Sequence, residues 1–259
     1  MYIDLHNHTI LCRHAEGSMR EYIEKAIEKG MDIFGFSEHA PMNFDEEYRL
    51  SFDEMELYES GVRELAQEYE ESIDIRLGYE VDWLPGYMDE RVLNADVDYL
   101  IGSVHFIEGW GFDNPEFIGR YESEDIDELW RKYFAEIEKM VGSGLFDIVA
   151  HLDLIKVFRF LPQADIPGYA EASLDAIAAC EMVLEVNAAG LRKPIGELYP
   201  GIELLKMAYE RDIPITFASD AHSPEQVGFA MREVVEAVKS VGYSQLCAFK
   251  NRKMEAYSL

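Results

Sequence analysis

Short apolar runs alternate with longer amphipathic stretches from one end of the chain to the other, the pattern of β/α units around a parallel sheet. Seven runs are expected as strands: Tyr2-Leu5, Ile33-Ser37, Ile75-Tyr79, Tyr99-Val104, Asp147-Ala150, Met182-Val186 and Ile215-Ala218. Helices are expected over Ser18-Lys29, Phe52-Tyr69, Asp125-Val141, Tyr169-Ala179, Ile202-Glu210 and Glu225-Ser240. Most carry apolar residues three and four apart, as at Tyr22, Ile23, Ala26 and Ile27, so one face of each should pack on the sheet. Start signals support them: Ser18 stands three residues before Glu21, a capping-box spacing, and Pro224 follows Ser223. Trp83-Asp98 and Ile107-Ser123, rich in Gly, Pro, Asp and aromatics, read as long loops of the kind that border binding sites. With no repeat and no Pro/Gly/Ser linker, residues 1–259 are expected to form one domain.

Composition narrows the class. At 259 residues and 48% apolar content the chain can bury a full core. No run approaches the ~18 apolar residues of a membrane span, and Met1-Tyr2-Ile3-Asp4 has no basic or apolar leader character, so a cytoplasmic protein without membrane contact is expected. Cys12, Cys180 and Cys247 show no paired spacing and read as buried small apolar residues. The formal charge is −28, from 51 acidic and 23 basic residues. Nucleic acid is thereby disfavoured as a partner, since its binders use cations to displace counterions from phosphates. A small phosphorylated substrate remains compatible if metal cations and a few local basic groups reverse the field in its pocket.

All seven histidines fall at, or a few residues beyond, the ends of apolar runs: His6, His8 and His14 after the first, His39 after the second, His105 after the fourth, His151 after the fifth and His222 after the seventh. Glu80 ends the third run, and Asp220 lies beside His222. Singly, each has an ordinary structural reading as a hydrogen-bonded strand-end residue or a helix cap. In parallel β/α architectures, however, the loops at strand C-terminal ends share one face, so the nine groups can converge. Imidazole with carboxylate suits zinc, iron or manganese, and nine ligands exceed the needs of one ion, so two or three divalent ions are expected. A carboxylate such as Glu80 could bridge two of them.

The segments Asp4-Leu5-His6-Asn7-His8, Ser37-Glu38-His39-Ala40, Gly78-Tyr79-Glu80, Gly102-Ser103-Val104-His105-Phe106, Ala150-His151-Leu152-Asp153 and Ser219-Asp220-Ala221-His222 resemble, in order, the motifs of the polymerase and histidinol phosphatase (PHP) superfamily. The fourth of these and Asn187-Ala188-Ala189-Gly190-Leu191-Arg192-Lys193 look like the histidinol-phosphate phosphatase branch, which usually carries hydroxyl residues where this chain has Ala188 and Ala189. The resemblance implies a distorted seven-stranded (β/α)7 barrel with a trinuclear centre at the strand C-terminal face. It implies that His6, His8, Glu80 and Asp220 hold one ion, Glu80, His105 and His151 a second, and His14, His39 and His222 a third. It also implies hydrolysis of L-histidinol phosphate, a step of histidine biosynthesis.

Arg192, just past the sixth run, could clamp a phosphate in a forked contact; Lys156 and Arg159 are weaker candidates, and Phe158 and Phe160 could be core or pocket wall. The expected chemistry is in-line attack by a hydroxide bridging two ions, with Glu80 and Asp220 positioning it as metal ligands, and the third ion and Arg192 neutralising phosphoryl charge. Asp153 is a candidate acid for the leaving oxygen, and Asp82, Glu108 and Asp113 are candidate partners for a substrate amine. Two other readings keep the metals: action on another small phosphomonoester or a phosphodiester, and a non-catalytic metal-binding domain. Oligomeric state is not legible in the sequence.

Overall fold

The computed structural model describes the whole chain, residues 1–259. Its strands are β1 (Ile3–Asp4), β2 (Ile33–His39), β3 (Asp74–Asp82), β4 (Tyr99–Ser103), β5 (Phe106–Ile107), β6 (Trp110–Gly111), β7 (Ile148–Val149), β8 (Val183–Asn187), β9 (Ile215–Ala218), β10 (Gln245–Lys250) and β11 (Lys253–Ser258). Its α-helices are α1 (Met19–Glu28), α2 (Met55–Glu68), α3 (Glu90–Leu93), α4 (Ile126–Gly142), α5 (Ile166–Ala179), α6 (Ile202–Tyr209) and α7 (Met231–Val241).

Seven strands pair in parallel in the order β1-β2-β3-β4-β7-β8-β9. The two edges approach each other, with Leu5 N–H donating to Phe217 O at 3.3 Å and His8 N–H to Ala221 O at 2.9 Å, so the sheet is a nearly closed, distorted (β/α)7 barrel. Each strand matches one of the seven apolar runs, as expected where both faces of a parallel sheet are covered. Inside, the Tyr99 hydroxyl donates to Leu5 O at 2.6 Å, spanning strands that are not neighbours. A side chain at Gly35 would meet that hydroxyl at 2.1 Å, so only glycine admits the crossing.

Local chemistry accounts for the outer layer. Ser18 and Glu21 form the capping box at the start of α1, and Asp125 caps α4, which buries Leu129, Trp130, Tyr133, Phe134, Ile137 and Met140 along one stripe. The segment expected as one helix from Glu225 is instead a 3₁₀ turn, Pro224–Gln226, followed by α7. Between them Gly228 and Ala230 both adopt positive φ and break the run. The expected loop Ile107-Ser123 contains the rest of a short hairpin, β5-β6, and a 3₁₀ helix over Pro115–Ser123.

Beyond α7 the chain forms an antiparallel hairpin, β10-β11, that no expectation covered. It plugs the barrel's N-terminal end: Arg76 in β3 donates to Phe249 O at 2.5 Å, Arg252 N–H donates to Asp98 O at 2.8 Å, and the Arg252 side chain pairs with Asp147. One continuous core of 67 buried residues runs from Ile3 to Phe249, so the scaffold is built mainly by apolar packing. Of the three cysteines expected to be buried, Cys12 and Cys247 are, whereas Cys180 is exposed because it lies just past the end of α5. No helix is long and apolar enough to cross a membrane.

Candidate metal centre

At the opposite end of the barrel all nine predicted ligands meet. His39 is the last residue of β2 and lies in register with Glu80 of β3, while His6, His105 and His151 follow β1, β4 and β7. Asp220 and His222 follow β9, and His14 follows a 3₁₀ turn whose N-cap is Thr9. Glu80 is the hub. One of its oxygens is 2.9 Å from His39 Nδ1, 3.3 Å from His6 Nε2 and 3.6 Å from His8 Nε2; the other is 3.1 Å from His151 Nε2 and 3.5 Å from His105 Nε2. Asp220 Oδ1 is 3.5 Å from both His8 Nε2 and His222 Nδ1. Ligand atoms within 4.8 Å of one another form five overlapping sets: His6, His8, Glu80; Glu80, His105, His151; His14, His39, His222; His39, Asp82, His105; and His8, Cys12, His222.

A second layer of carboxylates fixes the rings. His6 Nδ1 is 2.7 Å from Glu185, His105 Nδ1 is 2.6 Å from Asp82, and His8 Nδ1 is 3.4 Å from Glu38. Such partners orient an imidazole and leave its other nitrogen for a ligand. His6 Nε2 and His8 Nε2 are buried and have no hydrogen-bond partner, leaving lone pairs that a cation would satisfy. The donor set and these orphaned nitrogens therefore fit divalent metal ions.

Electrostatics agree. Burial opposes the charge on Glu80, yet His6, His39 and His105 together hold its carboxyl well below the usual range. Burial likewise opposes protonation of His105 and His8, but Asp82 and Glu80 hold the first up at about 10, and Asp220 and Glu38 hold the second at about 9. His39 goes the other way: burial and the neighbouring His8 depress it to about 4. Without ions, protons on some imidazoles balance the carboxylates, and those protons occupy positions a cation would take.

A cavity of about 380 Å³, within the usual range for small-ligand sites, opens over these residues and is also lined by Arg192, Lys193, Tyr199 and Asp113. Arg192 donates from one nitrogen to Ser219 O at 2.9 Å and Asp220 O at 3.0 Å, while its buried Nη1 has no partner. Lys156 and Arg159 are not brought to this cavity. The Lys156 amine is buried against Asp153 at 2.8 Å, Glu197 at 3.1 Å and Leu198 O at 2.8 Å, and Arg159 is exposed on a left-handed turn. Asp153 is consumed by that pair and by Gly201 N–H at 3.0 Å, and faces away from the ligands. Phe158 and Phe160 pack around Tyr121 as structure.

Of the acids expected to meet a substrate amine, Asp82 is already engaged by His105 and by Arg49 at 2.9 Å, and Glu108 is exposed beside Lys132 at 2.9 Å. Only Asp113 borders the cavity. Asp113 and Asp82 both line an adjoining pocket with Asp45, Tyr48, Phe106 and Phe117. Sequence reading missed Glu185 and Glu38; for Glu185 an ionisable residue inside the apolar run Met182-Val186 was the available signal.

Fold and site together define a divalent-metal-binding parallel β/α barrel. The PHP domain model matches residues 4–189, and the PHP-associated model matches residues 204–243. The chain belongs to the PHP domain family. It is 42% identical over 257 residues to the probable histidinol-phosphatase of Deinococcus radiodurans, covering 97% of this chain and 98% of that one. It is 31% identical over 265 residues to the histidinol-phosphatase of Bacillus subtilis, covering 90% of this chain and 98% of that one. The crystal structure of Lactococcus lactis histidinol phosphate phosphatase, complexed with zinc, L-histidinol and phosphate, superposes with a TM-score of 0.80 at 23% identity over 98% of each chain, a likeness of fold.

Proposed function

We propose that this protein is a metal-dependent phosphate monoester hydrolase acting on L-histidinol phosphate in histidine biosynthesis, a cytoplasmic enzyme formed by residues 1–259 as one domain. The observation that carries the reaction class is the cluster of seven imidazoles with Glu80 and Asp220 at one end of the barrel, six of the rings within 3.6 Å of one of these carboxylates, beside a half-buried arginine with an unpaired donor. The substrate is supported by near full-length identity to histidinol-phosphatases. Three ions would be held by His6, His8, Glu80 and Asp220, by Glu80, His105 and His151, and by His14, His39 and His222; the close sets His6, His8, Glu80; Glu80, His105, His151; and His14, His39, His222 support this, with Asp220 Oδ1 3.5 Å from His8 Nε2. Zinc, iron or manganese each suits these ligands.

Divalent ions in these positions supply charge neutralisation for the phosphoryl oxygens and lower the pKa of an attacking water. The chain's residues do the rest. Glu80, shared by two donor sets, fixes their spacing; Glu185, Glu38 and Asp82 hold the imidazoles in the tautomer that presents a lone pair inward. Arg192 offers Nη1 to the phosphoryl group, its reach set by the bonds to Ser219 O and Asp220 O. The adjoining pocket combines aromatic walls with Asp45 and Asp113, chemistry that suits an ammonium and an imidazole ring on the leaving group.

The test compares kcat/KM for L-histidinol phosphate, several sugar phosphates and a bis-aryl phosphodiester. A large preference for histidinol phosphate is expected. Equal turnover of the monoesters would remove the substrate assignment and leave the phosphomonoesterase; preference for the diester would remove both.

A further inference from the structure

A phenol in the metal cavity has no role in the chain's own hydrogen bonding. Tyr199 is 1% exposed and its hydroxyl has no partner, yet the residue lines the same cavity as Glu80, His151, Asp220 and Arg192. Buried tyrosine hydroxyls ordinarily find a partner, because a lost hydrogen bond leaves the full desolvation penalty standing. The ring cannot swing out to water. Tyr199 N–H donates to Asn187 O at 3.0 Å and Asn187 N–H to Tyr199 O at 2.6 Å, which ties its backbone to the end of β8. One side of the ring is closed by Gly190, where a Cβ would come within 2.9 Å of Cε2; the Lys156 amine stands 5.4 Å from the ring centroid, and His151 meets the ring edge-on.

We propose that the Tyr199 hydroxyl donates a hydrogen bond to a phosphoryl oxygen of the bound ester, as the partner of Arg192 Nη1. Tyr199 and Arg192 both line this one cavity, and the Tyr199 hydroxyl and Arg192 Nη1, both buried, have no hydrogen-bond partner in the protein. An anionic oxygen ligand satisfies both. A phenol keeps its proton at neutral pH and so can act as a donor. The buried Lys156–Asp153 pair, which does not reach the phosphate cavity, has its use here as a fixed wall behind the ring. This inference rests on the phosphoesterase reading and names a further substrate-binding residue for it.

The experiment uses the zinc-loaded protein and Tyr199→Phe, which removes the oxygen and keeps the ring. Metal-to-protein ratio and Tm are expected to match the parent, since the hydroxyl bonds nothing in the chain. The Kd for inorganic phosphate, by calorimetry, should rise about tenfold, and kcat/KM should fall about tenfold or more for both L-histidinol phosphate and p-nitrophenyl phosphate. Phosphate affinity and both rates within about twofold of the parent would overturn the proposal. So would a loss confined to histidinol phosphate with unchanged phosphate affinity, which would put the hydroxyl on the leaving oxygen. If the parent hydrolyses neither ester, the functional reading fails, and the phosphate Kd of the two proteins still decides the role of Tyr199.

Discussion

At the scale of single residues, the site is a set of imidazoles each held from behind. Glu185 shows how: it takes His6 Nδ1, accepts His151 N–H at 3.2 Å and accepts the Asn187 side-chain amide at 2.7 Å. Glu185→Gln keeps the volume but loses the charge that orients His6, so zinc affinity, measured by chelator competition, should fall about 10- to 100-fold with little change in fold. Unchanged affinity would show that the ring needs no such anchor. Protons supply a second prediction at this scale. In the metal-free protein His8 and His105 titrate at about 9 and about 10, so both are charged at neutral pH. A raised pKa means the proton is favoured below it, and an arriving ion must expel that proton. Zinc binding at neutral pH should therefore release protons, seen as a calorimetric enthalpy that varies with the ionisation enthalpy of the buffer, and affinity should rise with pH toward that range. A buffer-independent enthalpy would contradict it. The nine candidate ligands were legible because each lies at or beyond the end of an apolar run. Glu185 and Tyr199 were not, because they lie inside a run or on a loop whose path only the folded chain reveals.

At the scale of elements, the seven apolar runs predicted the seven barrel strands because a parallel sheet covered on both faces needs unbroken apolar sequence. Their ends were less legible. β3 continues past Tyr79 through Asp82, since the ladder to β4 persists to Ser103 and Arg49 compensates the buried Asp82 charge; read locally, Asp82 looked like a loop acid. The C-terminal hairpin escaped notice because its alternation is one-sided: Leu246, Cys247, Ala248 and Phe249 are buried in β10, whereas β11 is largely exposed. Asn251 and Arg252, both with positive φ, make its turn. The hairpin closes the end of the barrel away from the ligands, which separates stability from catalysis. Phe249→Ala should destabilise the protein by about 3 to 5 kcal/mol, read by denaturant unfolding, while metal content and kcat/KM under folding conditions stay near those of the parent. Loss of metal at full folding would couple the two ends.

At the scale of the whole molecule, a chain of charge −28 encloses a pocket whose donor groups fit divalent cations, and the two facts are compatible because the interior carboxylates are balanced locally. Glu80 and Asp220 are each held well below the usual carboxylate range, against burial, by surrounding histidines, so removing ions leaves paired imidazolium and carboxylate rather than bare buried charge. The core of 67 buried residues reaches from β1 to the C-terminal hairpin, far beyond the few apolar residues it shares with the cavity wall. Together these predict how the protein responds to chelation. Turnover should vanish, far-UV circular dichroism should persist, and unfolding should remain one cooperative transition. The Tm should fall because ions that bind only the folded state stabilise it by mass action, about 2.7 kcal/mol for a single site at about 100 times its Kd, or about 5 to 10 °C for a chain of this size. Restoring zinc should recover both rate and Tm. Full turnover in excess chelator would remove metals from the mechanism. Loss of the cooperative transition would instead make the ions part of folding itself, as in small zinc domains that lack a core of this extent.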